Sequence, residues 1–297
     1  MKVLLLGAGG QLGREIALHP DFLQHHQMTA LSHSQLNIAS LDEVLHAYHH
    51  YQPEVVINAA AYTKVDQAEK DPDLAYAVNT TGAGNLAEAC EKFDIPLLHF
   101  STDYVFNGEK TGAYLEEDQA SPINIYGDSK WQGEELVRQR CSKQVIVRTS
   151  WVFGAYGQNF VKTILRLAQE RTELKIVADQ QGCPTSTIDI AQASFAIIQK
   201  IEQGASVWGT YHFCGTPAVS WYEFAEAIIN IASRVEPLKL EALLPITTPE
   251  YPTPAKRPQN SVLSCHKIIT TLGVQPTPWV EALPNIIKGY FHEKLLT

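Results

Sequence analysis

The segment Tyr126-Gly127-Asp128-Ser129-Lys130 places a phenol and an ammonium four positions apart. On a helix that spacing brings the two Cβ atoms to about 5–6 Å on one face, so the positive charge can favour the phenolate. Such a pair suits proton donation in carbonyl chemistry. Reducing a ketone leaves negative charge on oxygen, and a hydroxyl acid must neutralise it while other donors polarise the carbonyl. An unperturbed phenol titrates at about pH 10, and Lys130 is expected to offset part of the distance to neutrality. Roughly 25 residues earlier an apolar run closes with Ser101-Thr102-Asp103. At the C-terminal end of a central parallel strand, Thr102 can donate to the carbonyl and Asp103 can bind substrate hydroxyls. A tyrosine and a lysine four apart are common, so the assignment depends on their neighbours.

The elements that must position this pair read as an alternating α/β fold. Lys2 to Leu6 is a strand closed by Gly7, with a helix from Gln11 to His19 behind it. Met28–Leu31 and Val55–Ala61 are further strands, and Ser40-Leu41-Asp42-Glu43 has the form of a capping box opening a helix toward Tyr51. A long helix over about Asp71–Phe93 leads to a strand at Pro96–Ser101, a helix over about Lys130–Arg140 and a strand at Val145–Arg148. This alternation predicts a Rossmann-like doubly wound parallel sheet covered by helices on both faces. After Trp151 the rhythm becomes irregular, and a smaller C-terminal α/β substrate lobe is expected. The dinucleotide-binding domain is assigned to 1–150 plus about 180–212, and the lobe to about 151–179 plus 213–297. The proline-rich stretch Pro245–Pro258 reads as a binding loop with Tyr251, Lys256 and Arg257 as handles, or as a linker.

Gly7-Ala8-Gly9-Gly10-Gln11-Leu12-Gly13 lies between the first strand and helix, where glycines permit a tight turn and close approach of a pyrophosphate to the helix N-terminus. The second strand ends in Leu31-Ser32-His33-Ser34, with neither an acid to reject a ribose 2′-phosphate nor a lysine or arginine to welcome one. Small hydroxyls serve either form, so NADPH is favoured slightly over NADH. Asn37 and Ile38 can sit beside adenine, or be a loop residue and a core residue.

Composition narrows the classes. The chain has 297 residues, 45% of them hydrophobic and 19% charged, with a formal charge of −9, which argues against a nucleic-acid partner. No apolar run approaches the roughly 20 residues of a membrane helix, so a cytoplasmic protein is expected. Five widely spaced cysteines without a CxxC pair fit buried thiols. The pairs His25-His26 and His49-His50 read as solvated rather than metal-binding.

Taken together, the glycine turn, Asn58-Ala59-Ala60-Ala61-Tyr62-Thr63-Lys64-Val65-Asp66, Ser101-Thr102-Asp103-Tyr104-Val105-Phe106, Tyr126 to Lys130, Arg148-Thr149-Ser150-Trp151-Val152 and Tyr251 to Ser261 resemble the dTDP-4-dehydrorhamnose reductases. These are extended short-chain dehydrogenases/reductases. The resemblance runs in order from the first strand to about Ser261. It implies reduction of the C4 ketone of dTDP-4-dehydro-L-rhamnose to dTDP-L-rhamnose, with Tyr126 protonating the alkoxide, Lys130 tuning it and holding the ribose, and Thr102 polarising the ketone. It also implies that Gly10, Gln11 and Leu12 contact the pyrophosphate, Asn37 and Ile38 the adenosine end, and Ala61, Tyr62 and Thr63 the nicotinamide side. Asp103, Tyr104 and Trp151 would line the sugar pocket, where an aromatic face suits apolar C–H surface, and Arg257 would take the diphosphate with its planar fork. Competing readings are another nucleotide-sugar epimerase, dehydratase or reductase, and a non-catalytic NADP-binding regulatory subunit.

Some members of this family bind magnesium at a dimer interface through acidic residues. Glu15 matches one such position, but Ile188 stands where another would be glutamate, and an aliphatic side chain cannot ligate a hard cation. Asp189 would point elsewhere on its helix. No metal site is expected, and the chain is expected to be a monomer or a homodimer.

Overall fold

The computed structural model describes residues 1–295. Six short segments form one sheet: β1 (Lys2–Leu6), β2 (Gln27–Leu31), β3 (Val55–Asn58), β4 (Leu97–Thr102), β5 (Gln144–Thr149) and β6 (Gly209–His212). Their order is β6-β5-β4-β3-β1-β2, and every neighbouring pair is parallel. From β1 the chain steps outward to β2 and then returns to the other side at β3. The carboxyl ends of β1 and β3 therefore flank a topological switch point, the crevice in which such sheets bind ligands.

Alternation within the strands loads both faces of the sheet. Val3, Leu5, Val55, Ile57 and Val145 pack with Ile16 of α1 (Gln11–Leu18) and with Ile190 and Ile197 of the helix Thr187–Glu202. Leu4, Leu6, Val56, Leu97 and Ile146 face α2 (Leu41–Tyr51), α3 (Ala83–Lys92) and α4 (Ile125–Arg140) through Val44, Leu86 and Val137. Fully burying each such side chain contributes about 1.5–3 kcal/mol, which fixes strand register on both faces.

A separate apolar core holds the second lobe, built from Phe153, Ile164, Phe224, Ile228, Trp279 and Leu283 among others. A parallel pair of five-residue strands, Glu173–Val177 and Ala242–Ile246, stands apart from the main sheet. The helix His266–Leu272, expected in this lobe, packs instead on the sheet side, because Ile268, Leu272 and Val274 join the cluster under β5 and β6.

Three other expectations need correction. The helix of the Tyr-Lys pair begins at Ile125 rather than near Lys130, since the Asn124 side chain caps it by accepting from Gly127 N at 2.7 Å. Ser40 Oγ accepts from Glu43 N at 3.4 Å, but the Glu43 carboxylate accepts from Asn37 N at 3.0 Å, so the capping box is only half made. His26 is buried between Phe22 and Phe195 rather than solvated, and burial, reinforced by the nearby chain terminus, lowers its pKa.

The long helix after Asp71 runs without interruption from Pro72 to Lys92, but its middle turn, Ala77–Gly82, is wound as a π-helix. Among the described residues no helix is long and apolar enough to cross a membrane.

One fully buried ion pair links α4 to β5. Arg148 Nη2 donates to Glu134 Oε2 at 2.7 Å and Nε to Oε1 at 3.0 Å. Burial alone would raise the carboxyl's pKa, but the Arg148 and Arg138 charges overcome it and hold the group down at about 2. A folded-state pKa depressed below the ordinary 4.5 contributes stability that is complete above that value and is lost as pH falls toward about 2. Glu134→Gln leaves the guanidinium buried and uncompensated, so urea denaturation at pH 7 should show a loss of about 3–5 kcal/mol. The wild type should lose stability more steeply than the variant between about pH 4.5 and 2, and parallel pH profiles would contradict this account.

Candidate active site

The glycine turn is shaped by contact on two sides. Gly7 has φ +82°, and a Cβ there would lie 2.5 Å from Ala60 N, so β1 and β3 approach too closely at the switch point for any side chain. A Cβ at Gly13 would lie 2.1 Å from Gly7 O, which lets α1 begin directly behind the turn. Gly10 is the N-cap of α1 and makes no side-chain cap, so the first amides of the helix, at Gln11, Leu12 and Gly13, are left without a partner from their own helix. This is the donor set that a pyrophosphate requires. Gln11 also joins the lobes, donating to Val152 O at 3.2 Å and accepting from Asn159 Nδ2 at 2.7 Å.

At the end of β2, Ser32 Oγ donates to Gln35 Oε1 at 2.8 Å and lies 2.9 Å from Ser34 Oγ. Asn37 closes its own turn by accepting from Ala39 N, while Ile38 is buried beneath the π-turn, where a Cβ on Gly82 would collide with it. Ile38 is thus a core residue.

Ala61, Tyr62 and Thr63 follow β3. Asn79, in the π-turn, clamps this segment by accepting from Tyr62 N at 2.8 Å and donating to Tyr62 O at 3.1 Å, and it also donates to Ser129 Oγ at 3.0 Å. One buried amide thus ties the loop after β3 to the helix of the Tyr-Lys pair. Sequence reasoning passed over Asn79, because an asparagine within a helix carries no signal until the π-turn is seen.

Thr102, Asp103, Tyr104 and Tyr126 meet at the carboxyl end of β4. Thr102 Oγ1 donates to Asp103 Oδ1 at 3.0 Å and accepts from Tyr104 N at 3.2 Å. The Tyr104 and Tyr126 rings meet edge to face with centroids 5.8 Å apart. Burial pushes the Tyr126 phenol up to about 12, Thr102 relieves part of this, and the Asp103 charge adds to it.

The expected tuning of Tyr126 by Lys130 is not what this geometry provides. Lys130 Nζ donates to Phe100 O at 2.6 Å, and burial draws the lysine down to about 8 against the opposing effect of Glu134. Raised or not, the phenol can still act as donor, because an alkoxide is a stronger base than a phenolate.

Arg257 lies over the Tyr104 ring, its guanidinium carbon 5.9 Å from the ring centroid, and Nη2 donates to Asp66 Oδ2 at 2.9 Å. Its Nη1 is buried and has no hydrogen-bond partner among the described residues. One edge of the fork is anchored and the other is open. Trp151 has φ +46° and stacks on Trp221, with ring centroids 3.4 Å apart and planes 5° from parallel. Gly182 makes room for it, since a Cβ there would meet Trp151 Cε2 at 2.3 Å. Trp221 was not foreseen; it opens a helix of the second lobe, and the capping box of Ser220 and Glu223 is what fixes it there.

Near the magnesium-type positions, Glu15 Oε2 accepts from Thr187 Oγ1 at 2.8 Å and Ile188 is 40% exposed. Among the described residues no group of three acidic, histidine or cysteine side chains is arranged to hold a metal ion.

A doubly wound sheet, an uncapped helix N-terminus at its switch point and a tyrosine, threonine and lysine at the end of β4 define a nucleotide-binding oxidoreductase of the extended short-chain type. The family model described as RmlD substrate binding domain matches residues 1–291, and the chain belongs to this family. It is 48% identical over 287 residues to the dTDP-4-dehydrorhamnose reductase of Aggregatibacter actinomycetemcomitans, covering 96% of this chain and 98% of the relative. A dTDP-4-dehydrorhamnose reductase from Bacillus anthracis str. Ames, solved in complex with NADP, shares 38% identity at a TM-score of 0.87, covering 98% of this chain and 99% of its own. The corresponding structure from Clostridium acetobutylicum ATCC 824 gives 37% identity and a TM-score of 0.89 over the whole of both chains.

The Asn79 clamp gives a direct test. Asn79→Ala removes three buried hydrogen bonds, two of them holding Tyr62, and each is worth about 0.5–1.5 kcal/mol. Chemical denaturation should show a loss of about 2–3 kcal/mol, and fluorescence titration should show nicotinamide-cofactor affinity weakened by roughly tenfold, that is about 1.4 kcal/mol. Unchanged cofactor affinity would reduce Asn79 to a purely structural role.

Proposed function

We propose that the protein reduces the C4 ketone of dTDP-4-dehydro-L-rhamnose to dTDP-L-rhamnose, with NADPH preferred to NADH. The observation that carries the reading is the Thr102–Asp103 hydrogen bond at the end of β4 beside the Tyr104–Tyr126 ring pair, with Lys130 one turn behind Tyr126 and the unpartnered Nη1 of Arg257 by the Tyr104 ring. Full-length similarity to reductases of this name supports the substrate, and the relative solved with NADP supports the cofactor.

When bound, the reduced nicotinamide supplies hydride to the ketone carbon. Gly7 and Gly13 shape the turn that brings Gly10 and the amides of Gln11 and Leu12 to the pyrophosphate. Ser32 with its neighbour Ser34 offers hydroxyls to the ribose 2′-phosphate, and Asn37 and Ile38 bound the adenosine end. Ala61, Tyr62 and Thr63, held by Asn79, fix the nicotinamide side, and Lys130 is placed to bond the nearby ribose. Tyr126 donates its proton to the C4 oxygen, and Thr102 polarises the same atom. Trp151 offers an apolar face to the deoxysugar beside Tyr104, Asp103 takes a sugar hydroxyl, and Arg257 binds the diphosphate with the edge that Asp66 leaves open.

Tyr126→Phe should lower kcat by at least about a hundredfold, the scale of lost general-acid catalysis, with cofactor affinity by fluorescence titration unchanged within about twofold. Full turnover in this variant would refute the proton-donor role. Arg257→Ala should raise the KM for the dTDP-sugar by tenfold or more, about 1.4 kcal/mol, with kcat little altered; an unmoved KM returns Arg257 to a loop residue paired with Asp66. Initial rates with NADPH and NADH compared at equal concentration test the cofactor preference, and faster NADH turnover would reverse it.

A further inference from the structure

The five cysteines are widely spaced in sequence but fall into two groups in the fold. Cys90 and Cys141 lie in the core under α2 and α3, neither more than 2% exposed, and Cys90 Sγ is 3.1 Å from the Tyr48 hydroxyl. Cys183, Cys214 and Cys265 belong to a smaller apolar cluster with Phe106, Tyr114 and Leu263. Within it the sulfurs of Cys214 and Cys265 stand 3.6 Å apart, although the residues are 51 positions apart in the chain. Main-chain contacts hold them there: Cys214 N donates to Cys265 Sγ at 3.3 Å, and Cys265 Sγ lies 3.7 Å from Cys214 O.

The two thiols are not equivalent. Cys265 is partly exposed, whereas Cys214 is 3% exposed and its Sγ donates to Leu263 O at 3.5 Å. An amide N–H aimed at Cys265 Sγ favours the thiolate, which is the nucleophilic form of a cysteine. The Cys214 thiol and its amide draw the Cys265 pKa down against burial, while the thiols of Cys183 and Cys265, together with burial, push that of Cys214 up. One sulfur is thus reachable and activated, and the other waits behind it in contact.

We propose that Cys265 and Cys214 form an oxidation site, at which hydrogen peroxide reacts with Cys265 and Cys214 resolves the product into a reversible disulfide. The Cys265 thiolate attacks one peroxide oxygen. An S–O bond forms as the O–O bond breaks, and the departing hydroxide takes up the proton that Cys265 released, giving water and a sulfenic acid. The Cys214 sulfur then attacks Cys265 Sγ and its proton passes to the departing hydroxide, so an S–S bond replaces the S–O bond and a second water leaves. Two electrons pass from the sulfurs to the peroxide for each bridge made, and a small dithiol reverses the step by exchange. Cys90 and Cys141 lack the exposure that this chemistry requires.

The bridge ties the chain just beyond β6 to the end of the segment that carries Arg257. That segment is already laid against Tyr114, through Tyr114 N to Val262 O and Ser264 N to Tyr114 O, both at 2.8 Å. Closing a loop between positions 51 apart removes freedom from the unfolded chain, so the oxidised protein resists heat better than the reduced one. None of the residues involved is among those placed at the cofactor or the sugar, and the inference does not depend on the reductase reading.

Wild-type protein treated with hydrogen peroxide at neutral pH and then denatured should titrate two thiols fewer than the five of the untreated chain. Peptide mapping without reductant should find one bridge, Cys214 to Cys265, that dithiothreitol removes, and Tm should rise by at least about 3 °C and return on reduction. Cys214→Ser should stop at a Cys265 sulfenic acid that a 1,3-diketone traps, and Cys265→Ser should lose thiols to peroxide at least about tenfold more slowly than wild type. Retention of all five thiols, a bridge from Cys183 to Cys214, or first oxidation at Cys90 or Cys141 would each overturn the proposal, and a bridge that leaves Tm unmoved would overturn its stabilising role. The wild-type mapping decides the matter even where a variant fails to fold.

Discussion

The architecture depends on how closely α4 can lie against its neighbours. Two glycines on its inner face set that distance. A Cβ at Gly127 would stand 2.1 Å from Tyr104 O, and one at Gly133 would stand 2.1 Å from Asn79 O. The helix is therefore seated directly on the backbone of the β4 loop at one end and of the π-turn at the other. Tyr126 adjoins the first of these contacts and Ser129 and Lys130 lie between them, so the phenol, the residue bonded to the Asn79 clamp and the lysine are positioned by backbone-to-backbone packing rather than by flexible side chains. The Glu134–Arg148 pair anchors the helix to β5 one turn further on.

That close seating also explains the electrostatics. Pressing α4 onto the sheet removes water from Tyr126, Lys130, Glu134 and the end of β4 together, and burial is the first cause of each of their shifts. Where a charged partner is built in, as Arg148 is for Glu134, the ion survives and its pKa falls. Where none is built in, as for Tyr126 and Asp103, the neutral form gains and the pKa rises. The same desolvation thus yields a structural ion pair at one end of the helix and proton donors at the other.

Much of this was legible in the sequence wherever local rules decide. The apolar runs, the Gly7–Gly13 turn and the order of βαβ units specify a doubly wound sheet, because strand burial and helix periodicity are properties of short segments. The tyrosine–lysine spacing correctly put both residues on one helix. What spacing could not convey is where the lysine ammonium goes, since the Phe100 carbonyl that holds it comes from a strand 30 residues away. Asn79 and Trp221 escaped for the same reason. Each acts through partners remote in the chain, a π-turn meeting the loop after β3 in one case and a stack with Trp151 within the second lobe in the other. His266–Leu272 was misplaced because its apolar face does not reveal which of two cores it will cover.

The second lobe completes the cleft by reaching back to the first. The C-terminal loop is sewn to the dinucleotide-binding half at several points: Asn124 Nδ2 donates to Lys256 O, Arg257 pairs with Asp66, Gln181 N donates to Gln259 O and Ser261 N donates to Gln181 O. Asn124 is also the N-cap of α4, so the residue that begins the helix of Tyr126 grips the loop of Arg257 as well. A shift of that loop would disturb the helix start, and a shift of the helix would move the guanidinium. Arg257 and Tyr126, proposed above to meet the diphosphate and the ketone, therefore share one frame. That coupling allows binding energy gathered far from C4 to orient the carbonyl against Tyr126 and Thr102.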